Sequence, residues 1–271
     1  MDARAIGVFD SGLGGLTAVR QLQDQLPGEK IIYFGDTSRV PYGTRTRDTI
    51  VKYVRQDIHF LLAQDIKAIV IACNTADTTA RKQVMGEYDL PIFGVVEPAA
   101  KKAARVTRNG KIGLIGTQAT IRSGVYGEII AAENPAAQLM QTACPLLVPL
   151  VENGRFRPGD RVAELVIAEY LQPLKDWGCD TLVLGCTHYP LLWDIIGDYM
   201  GPDVRLINSG REAAKAVAEG LRQADLLAAP GQTGGCRYFV SDAPDGFSQL
   251  ASLFLERDVT AQVEQIDIET Y

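Results

Sequence analysis

The chain has 271 residues, 46% of them hydrophobic and 22% charged, with a formal net charge of −6. That length accommodates one large domain or two of ordinary size, and the acidic balance argues against a nucleic-acid binder, which would need a basic stripe. No apolar run approaches the ~18 residues of a membrane span, and the opening MDARAIGVFD lacks the basic-then-apolar profile of a secretory leader, so a cytoplasmic protein is expected.

Short β-branched runs alternate with amphipathic stretches of helix length. In the first half strands are predicted at 5–9 (AIGVF), 30–34, 68–72 and 91–96, with helices at 14–26, 47–64 and 75–88. A helix at 97–107 leads to a second series of strands at 111–116 (KIGLIG), 137–142, 181–185 and 204–208, with further helices at 160–177 and 210–223. Such alternation predicts α/β architecture with parallel, doubly wound sheets. The pattern also repeats: IGVFDS at 6–11 resembles IGLIGT at 112–117, and AIVIACNTA at 68–76 resembles TLVLGCTHY at 181–189. Two similar domains are therefore expected, with a site in the cleft between them. The tail offers a Gly-rich link at 231–235, an apolar run at 236–240, a helix near 244–255 and QVEQID as an edge strand. It is expected to pack back on the first half, giving a discontinuous domain of residues 1–96 plus 209–271 around a second domain of 97–208.

The five cysteines are odd in number and dispersed, and there are only two histidines and no CxxC. Neither a disulfide framework nor a metal site is expected. Cys73 and Cys186 stand apart from Cys144, Cys179 and Cys236, which are read as small core residues. Each of the two directly follows a compact apolar run and precedes polar residues, Asn74-Thr75 in one case and Thr187-His188 in the other. In open α/β sheets that end of a strand is where ligands bind. A free thiol, with a pKa of about 8.5, can be tuned to act as base or acid near neutral pH. One thiol per half suggests a pair of acid/base groups that removes a proton from one side of a carbon and returns one to the other. Thr75 is expected to cap the helix after Cys73, and His188 to orient or protonate the Cys186 thiol.

The first turn, FDSGLGG at 9–15, places Asp10 and Ser11 at a strand end. Its G-x-G-G spacing and the preceding acid do not match a dinucleotide fingerprint. A turn that meets an ammonium with Asp10 and a carboxylate with backbone N–H groups suits a zwitterion. The segment 35–45 (GDTSRVPYGTR) could bring Asp36, Ser38 and Tyr42 within reach of a ligand, although from this segment alone a plain surface loop is the better reading. Glu152 in LVENG is a candidate partner for His188.

Taken together and in order, DSGLGG, PYG, ACNTA, PLVENG and GCTHYP closely resemble the bacterial glutamate racemases, from the first strand to about residue 220. The resemblance implies a cofactor-independent, two-base racemase that interconverts L- and D-glutamate for peptidoglycan biosynthesis, with two α/β domains and usually a homodimer. It places the catalytic cysteines on Cys73, assisted by Asp10, and Cys186, assisted by His188 and Glu152. It places substrate binding on Asp10-Ser11, Tyr42-Gly43, Asn74-Thr75 and Thr187-His188. One departure is Asp77 in ACNTADTT, expected to face solvent. Without a long N-terminal extension ahead of the first strand, the sequence is expected to be unlike family members that need a cell-wall precursor as activator. An aspartate or hydantoin racemase of the same superfamily is the nearest alternative, and a two-lobed amino-acid-binding protein without turnover is the alternative of another class.

Overall fold

The computed structural model describes residues 1–255, 258–259 and 262–271. Two sheets, each parallel throughout, make up its framework. The first contains β1 (Ala5–Asp10), β2 (Lys30–Gly35), β3 (Ile66–Ile71), β4 (Ile92–Gly94), β9 (Gly235–Val240) and β10 (Val263–Gln265), in the order β10-β9-β2-β1-β3-β4. The second contains β5 (Lys111–Gly116), β6 (Gln138–Ala143), β7 (Thr181–Gly185) and β8 (Arg205–Asn208), in the order β6-β5-β7-β8. The order β2-β1-β3-β4 is thus repeated as β6-β5-β7-β8, which is the repeat read from the sequence. Central strands β1, β3 and β7 are buried along their whole length, as expected of near-continuous apolar runs covered by helices on both faces. Edge strand β6 (QLMQTA) is half-exposed and carries polar residues accordingly.

The flanking helices are α1 (Leu16–Gln25), α2 (Arg47–Leu62), α3 (Asn74–Val84), α4 (Val96–Val106), α5 (Gln118–Ser123), α6 (Val125–Glu133), α7 (Leu147–Glu152), α8 (Arg161–Trp177), α9 (Trp193–Met200), α10 (Ser209–Gln223) and α11 (Pro244–Leu255). Local chemistry fixes their ends. Asp160 caps α8 by accepting the N–H groups of Val162 and Ala163, and Gly178 ends it with φ of 77°, the left-handed conformation a C-terminal glycine adopts freely. Ala163, Ile167, Leu171 and Leu174 form its buried stripe, at the spacing of one helical face. Helix α10 lies so close to α1 that a Cβ on Gly210 would meet the Ala18 Cα at 3.0 Å.

Several local expectations are corrected. The strand foreseen at 91–96 is only Ile92–Gly94, because the backbone turns into α4 at Val95–Val96. The helix after Cys73 begins one residue earlier than expected, with Cys73 itself at the N-cap position, so Thr75 is not its cap. Helices α5, α6, α7 and α9 were not foreseen. The first two are short and separated by Gly124, with φ of 71°. Helix α7 carries Pro149, a residue tolerated in a first helical turn, where N–H groups lack intrahelical partners.

Candidate active site

In each sheet the strand order reverses between the first and third strands of its series, between β1 and β3 in one and between β5 and β7 in the other. Ligands of open α/β sheets bind at such switch points, beyond the carboxyl ends of the strands. Here the two switch points open onto one cavity of about 260 Å³. From the first sheet it receives Ser11 and Gly12 after β1, residues 40–44 after β2, and Cys73, Asn74 and Thr75 after β3. From the second it receives Thr117 and Gln118 after β5, Cys144, Pro145, Val148, Pro149 and Glu152 after β6, and Cys186, Thr187 and His188 after β7. Both strand-end cysteines are free thiols and line the same space.

The surroundings of the two sulfurs differ. The Cys73 thiol lies 3.4 Å from the Ser11 hydroxyl. Burial pushes it up to about 12, the negative charge of Asp10 adds to this, and contact with Ser11 and nearby backbone N–H groups opposes it. The Cys186 sulfur lies 3.8 Å from His188 Nδ1, and His188 Nε2 lies 3.1 Å from Glu152 Oε1. Burial alone would lower the His188 pKa, but its contacts with Cys186 and Glu152 raise it to about 10. The His188 ring therefore stands between a sulfur and a carboxylate.

Hydroxyls and amides span the two halves. The Thr75 and Thr117 hydroxyls are 2.9 Å apart across the cavity. Tyr126 of α6 donates to Asn74 Oδ1 at 2.7 Å, while Asn74 Nδ2 donates to Ser209 at 3.3 Å. Thr17 of α1 donates to the Thr187 carbonyl at 2.8 Å.

The structure brings Ser11, Tyr42, Gly43, Asn74, Thr75, Glu152, Thr187 and His188 to the cavity wall with both cysteines. Asp10 is set differently. It is buried behind the wall, where Oδ2 accepts the Gly12 N–H at 3.0 Å and Oδ1 the Thr187 hydroxyl at 3.4 Å. Burial raises its pKa, with His188 and the N–H groups of Gly15 and Gly12 opposing. Asp36 and Ser38 do not line the cavity: Ser241 donates to Asp36 at 2.9 Å and its oxygen lies 3.0 Å from that of Ser38. The Tyr42 hydroxyl points into the same buried cluster, at 2.5 Å from Asp36, which leaves its ring and backbone to face a ligand. Asp77 does not face solvent; it is buried and accepts the Val96 N–H at 2.8 Å.

Sequence reasoning missed Thr117; Cys144, read as core, is indeed buried in the core and also borders the cavity. The internal repeat held a signal for the first: aligning IGVFDS with IGLIGT places Thr117 opposite Ser11. Among the described residues no group of three His, Cys, Asp or Glu side chains is placed to hold a metal ion, and no helix is long and apolar enough to cross a membrane.

The sequence profile of the Asp/Glu/Hydantoin racemase family matches residues 14–217. The chain is 46% identical over 269 residues to a glutamate racemase of Geobacter metallireducens, covering 99% of this chain and 98% of that one. It superposes on a glutamate racemase of Bacillus anthracis with a TM-score of 0.93 at 35% identity, covering 98% of both chains. On the Francisella tularensis glutamate racemase, solved in complex with D-glutamate, the TM-score is 0.90 at 36% identity over the whole of both chains.

Proposed function

The chain belongs to the Asp/Glu/hydantoin racemase family, and from that premise we propose that it is a glutamate racemase working by two cysteine acid/base groups. One observation carries the mechanism: two free thiols, each at the switch point of its own sheet, line a single cavity. The substrate reading is supported by the likeness to glutamate racemases along almost the whole chain.

In this reading Ser11, Asn74, Thr75, Thr117 and Thr187 offer neutral donors to the substrate carboxylates, with Tyr42-Gly43 as backbone wall. Fixed donors in an enclosed site stabilise charge that develops in the transition state. One cysteine, as thiolate, takes the α-proton; the C–H bond breaks, its electron pair spreads into the α-carboxylate, and an S–H bond forms. The opposite cysteine, as thiol, gives its proton to the other face and becomes the thiolate. The substrate ammonium stays protonated throughout and helps acidify the α-hydrogen. No electron leaves the substrate, so two thiols suffice without a cofactor. At rest burial and the charge of Asp10 favour the protonated thiol at Cys73. Asp10 acts on Cys73 as a buried charge, Glu152 on Cys186 through His188.

The same reading assigns residues 1–96 with 209–271 to one lobe and 97–208 to the other, and the pairing of β9 with β2 supports it. It also carries D-glutamate supply to peptidoglycan in the cytoplasm, and a homodimer whose mass sedimentation would report. The central test is circular dichroism of L-glutamate over time in D2O, followed by NMR of the α-position. Loss of optical signal with deuterium entering the α-carbon is expected, with no comparable change for L-aspartate. A folded, reduced protein that leaves L-glutamate unchanged would refute the reading.

A further inference from the structure

A buried charged cluster lies behind the cavity wall formed by residues 40–44, away from the reacting thiols. The Arg39 guanidinium donates from Nε to Asp36 Oδ2 at 2.7 Å, from Nη1 to Gln56 at 2.6 Å, and from Nη2 to Asp57 Oδ1 at 3.3 Å. It also lies over the Tyr53 ring, 4.1 Å from its centre. Asp36 and Asp57 are both fully buried. Between them stands the Tyr42 hydroxyl, 2.5 Å from Asp36 Oδ2 and 3.0 Å from Asp57 Oδ2.

Counting protons shows what this geometry requires. A phenol carries one proton, so it can donate fully to one carboxylate. A second ionised carboxylate would turn its charge toward the lone pairs of the phenol oxygen, in a site buried from solvent. The donors decide which carboxylate keeps the charge. Asp36 accepts from Arg39 Nε, from Tyr42 at the shorter distance, and from Ser241 at 2.9 Å. Asp57 is left with the longer Arg39 contact. One buried cation balances one buried anion, and the acid Glu269, 3.5 Å from Arg39, is largely exposed and adds no positive charge. Burial first, then the charge of Asp36, push the Asp57 pKa upward.

We propose that Asp57 positions the substrate-side wall: its carboxyl keeps a proton and donates to the Tyr42 oxygen, so that Tyr42 donates onward to Asp36 and residues 40–44 are held where the substrate meets them. The relay Asp57 to Tyr42 to Asp36 to Arg39 ties the loop after β2 to helix α2. Asp57 touches no substrate and acts through Tyr42 alone. The kinetic part of this proposal rests on the glutamate racemase reading; the location of the proton does not.

The test compares Asp57→Asn, Asp57→Ala and Asp36→Asn. Asparagine retains an uncharged donor of the same shape, so Asp57→Asn should keep KM for L-glutamate within about twofold of wild type. Asp57→Ala should raise KM about five- to tenfold, the cost of a lost buried hydrogen bond, with a smaller change in kcat. Asp36→Asn, which leaves Arg39 only the longer contact with Asp57 and takes the Asp57 proton out of the relay, should be worse than Asp57→Asn in both KM and thermal stability. Infrared spectroscopy of the same proteins reads the proton directly: the C=O stretch of one protonated carboxyl present in wild type should vanish in Asp57→Asn. The proposal is overturned if that band persists in Asp57→Asn, or if Asp57→Asn raises KM as much as Asp57→Ala. If wild-type protein exchanges no α-proton of L-glutamate, the functional reading fails, and the infrared comparison still decides where the proton sits.

Discussion

The two cysteine turns occupy equivalent places in equivalent sheets, yet they treat negative charge differently. Cys73 opens an α-helix of 11 residues, and Ser11 is the side chain that supports its thiol, with Asp10 buried behind. After Cys186 comes only a 3-10 turn, Tyr189–Leu192, and the space is taken by His188 backed by Glu152. A thiolate at Cys186 has a cation beside it, whereas a thiolate at Cys73 meets desolvation and a like charge. The lesson is that a chemically symmetric reaction does not need a symmetric site. Enantiomers have equal free energies, so kcat/KM must be the same in both directions whatever the resting charge. The asymmetry of the turns should show instead in their pH dependence and in their sensitivity to substitution.

The largest effect should come from removing either sulfur. Cys73→Ser and Cys186→Ser should each lower racemisation by about 10³-fold or more, since a hydroxyl is a far weaker acid and the acid/base contribution is lost. Polarimetry reads the loss, and deuterium exchange on each enantiomer reads which face has failed. A serine variant that racemises at the wild-type rate would remove its turn from the mechanism. Next comes Gly14→Ala, in the first half of the chain but aimed at the second turn. A Cβ there would lie 2.3 Å from Thr187 Oγ1 and 2.5 Å from His188 Nδ1, so those side chains must move. Misplacement of this kind should cost about 10² in kcat/KM. An unaltered rate would show that the Cys186 turn tolerates displacement.

His188→Asn should lower kcat/KM about 10- to 100-fold, the range for losing a charged hydrogen-bond partner, and should change the alkaline limb of the profile. With the folded His188 pKa raised to about 10, its cation is present at neutral pH and lost as pH rises through that value. The corresponding stability is complete below the unfolded pKa of about 6.5 and disappears as pH approaches 10. The gap in melting temperature between wild type and His188→Asn should therefore narrow over that window. A gap constant from pH 6 to 10 would mean that His188 carries no charge in the fold.

How much of this was legible depended on how local the determinants are. The two cysteine turns were readable because apolar β-branched runs at 68–71 and 181–184 end abruptly in a thiol and polar residues. The architecture followed from strand–helix alternation, and the likeness of the two halves from the repeat, while the strand order within each sheet did not. What stayed hidden depends on partners remote in sequence. Asp77 looked solvent-facing because its partner, the Val96 N–H, lies 19 residues away. Asp57 gave no signal because its partners Arg39 and Tyr42 lie 18 and 15 residues away on another element. Helix α7 was obscured by Pro145 and Pro149, which punctuate a sequence without excluding a short helix between turns.

Asp77 offers the smallest effect and belongs to one turn alone: it lies four residues past Cys73, where Pro190 stands past Cys186. Its Oδ2 accepts the N–H of Val96, the first residue of α4, and so fixes the start of the helix by which the chain passes from one sheet to the other. Its Oδ1 is buried without a hydrogen bond, 3.8 Å from Arg81 Nε. Burial raises the pKa to about 6, against the charge of Arg81 and the N–H groups of Val96 and Val95. A carboxyl that binds its proton more tightly when folded stabilises the fold fully below its unfolded pKa, about 4, and that contribution is lost as pH rises through about 6. Asp77→Asn keeps an acceptor for Val96 and removes the ionisable group. Relative to wild type it should gain stability between pH 4 and pH 8, by at most about 3 kcal/mol, which thermal unfolding at the two pH values would measure. A difference that does not change with pH would mean that Arg81 fully offsets the burial of the charge. A gain at pH 8 would mean that the Cys73 side carries a buried, incompletely paired charge to hold α4 in place, a device with no counterpart at Cys186.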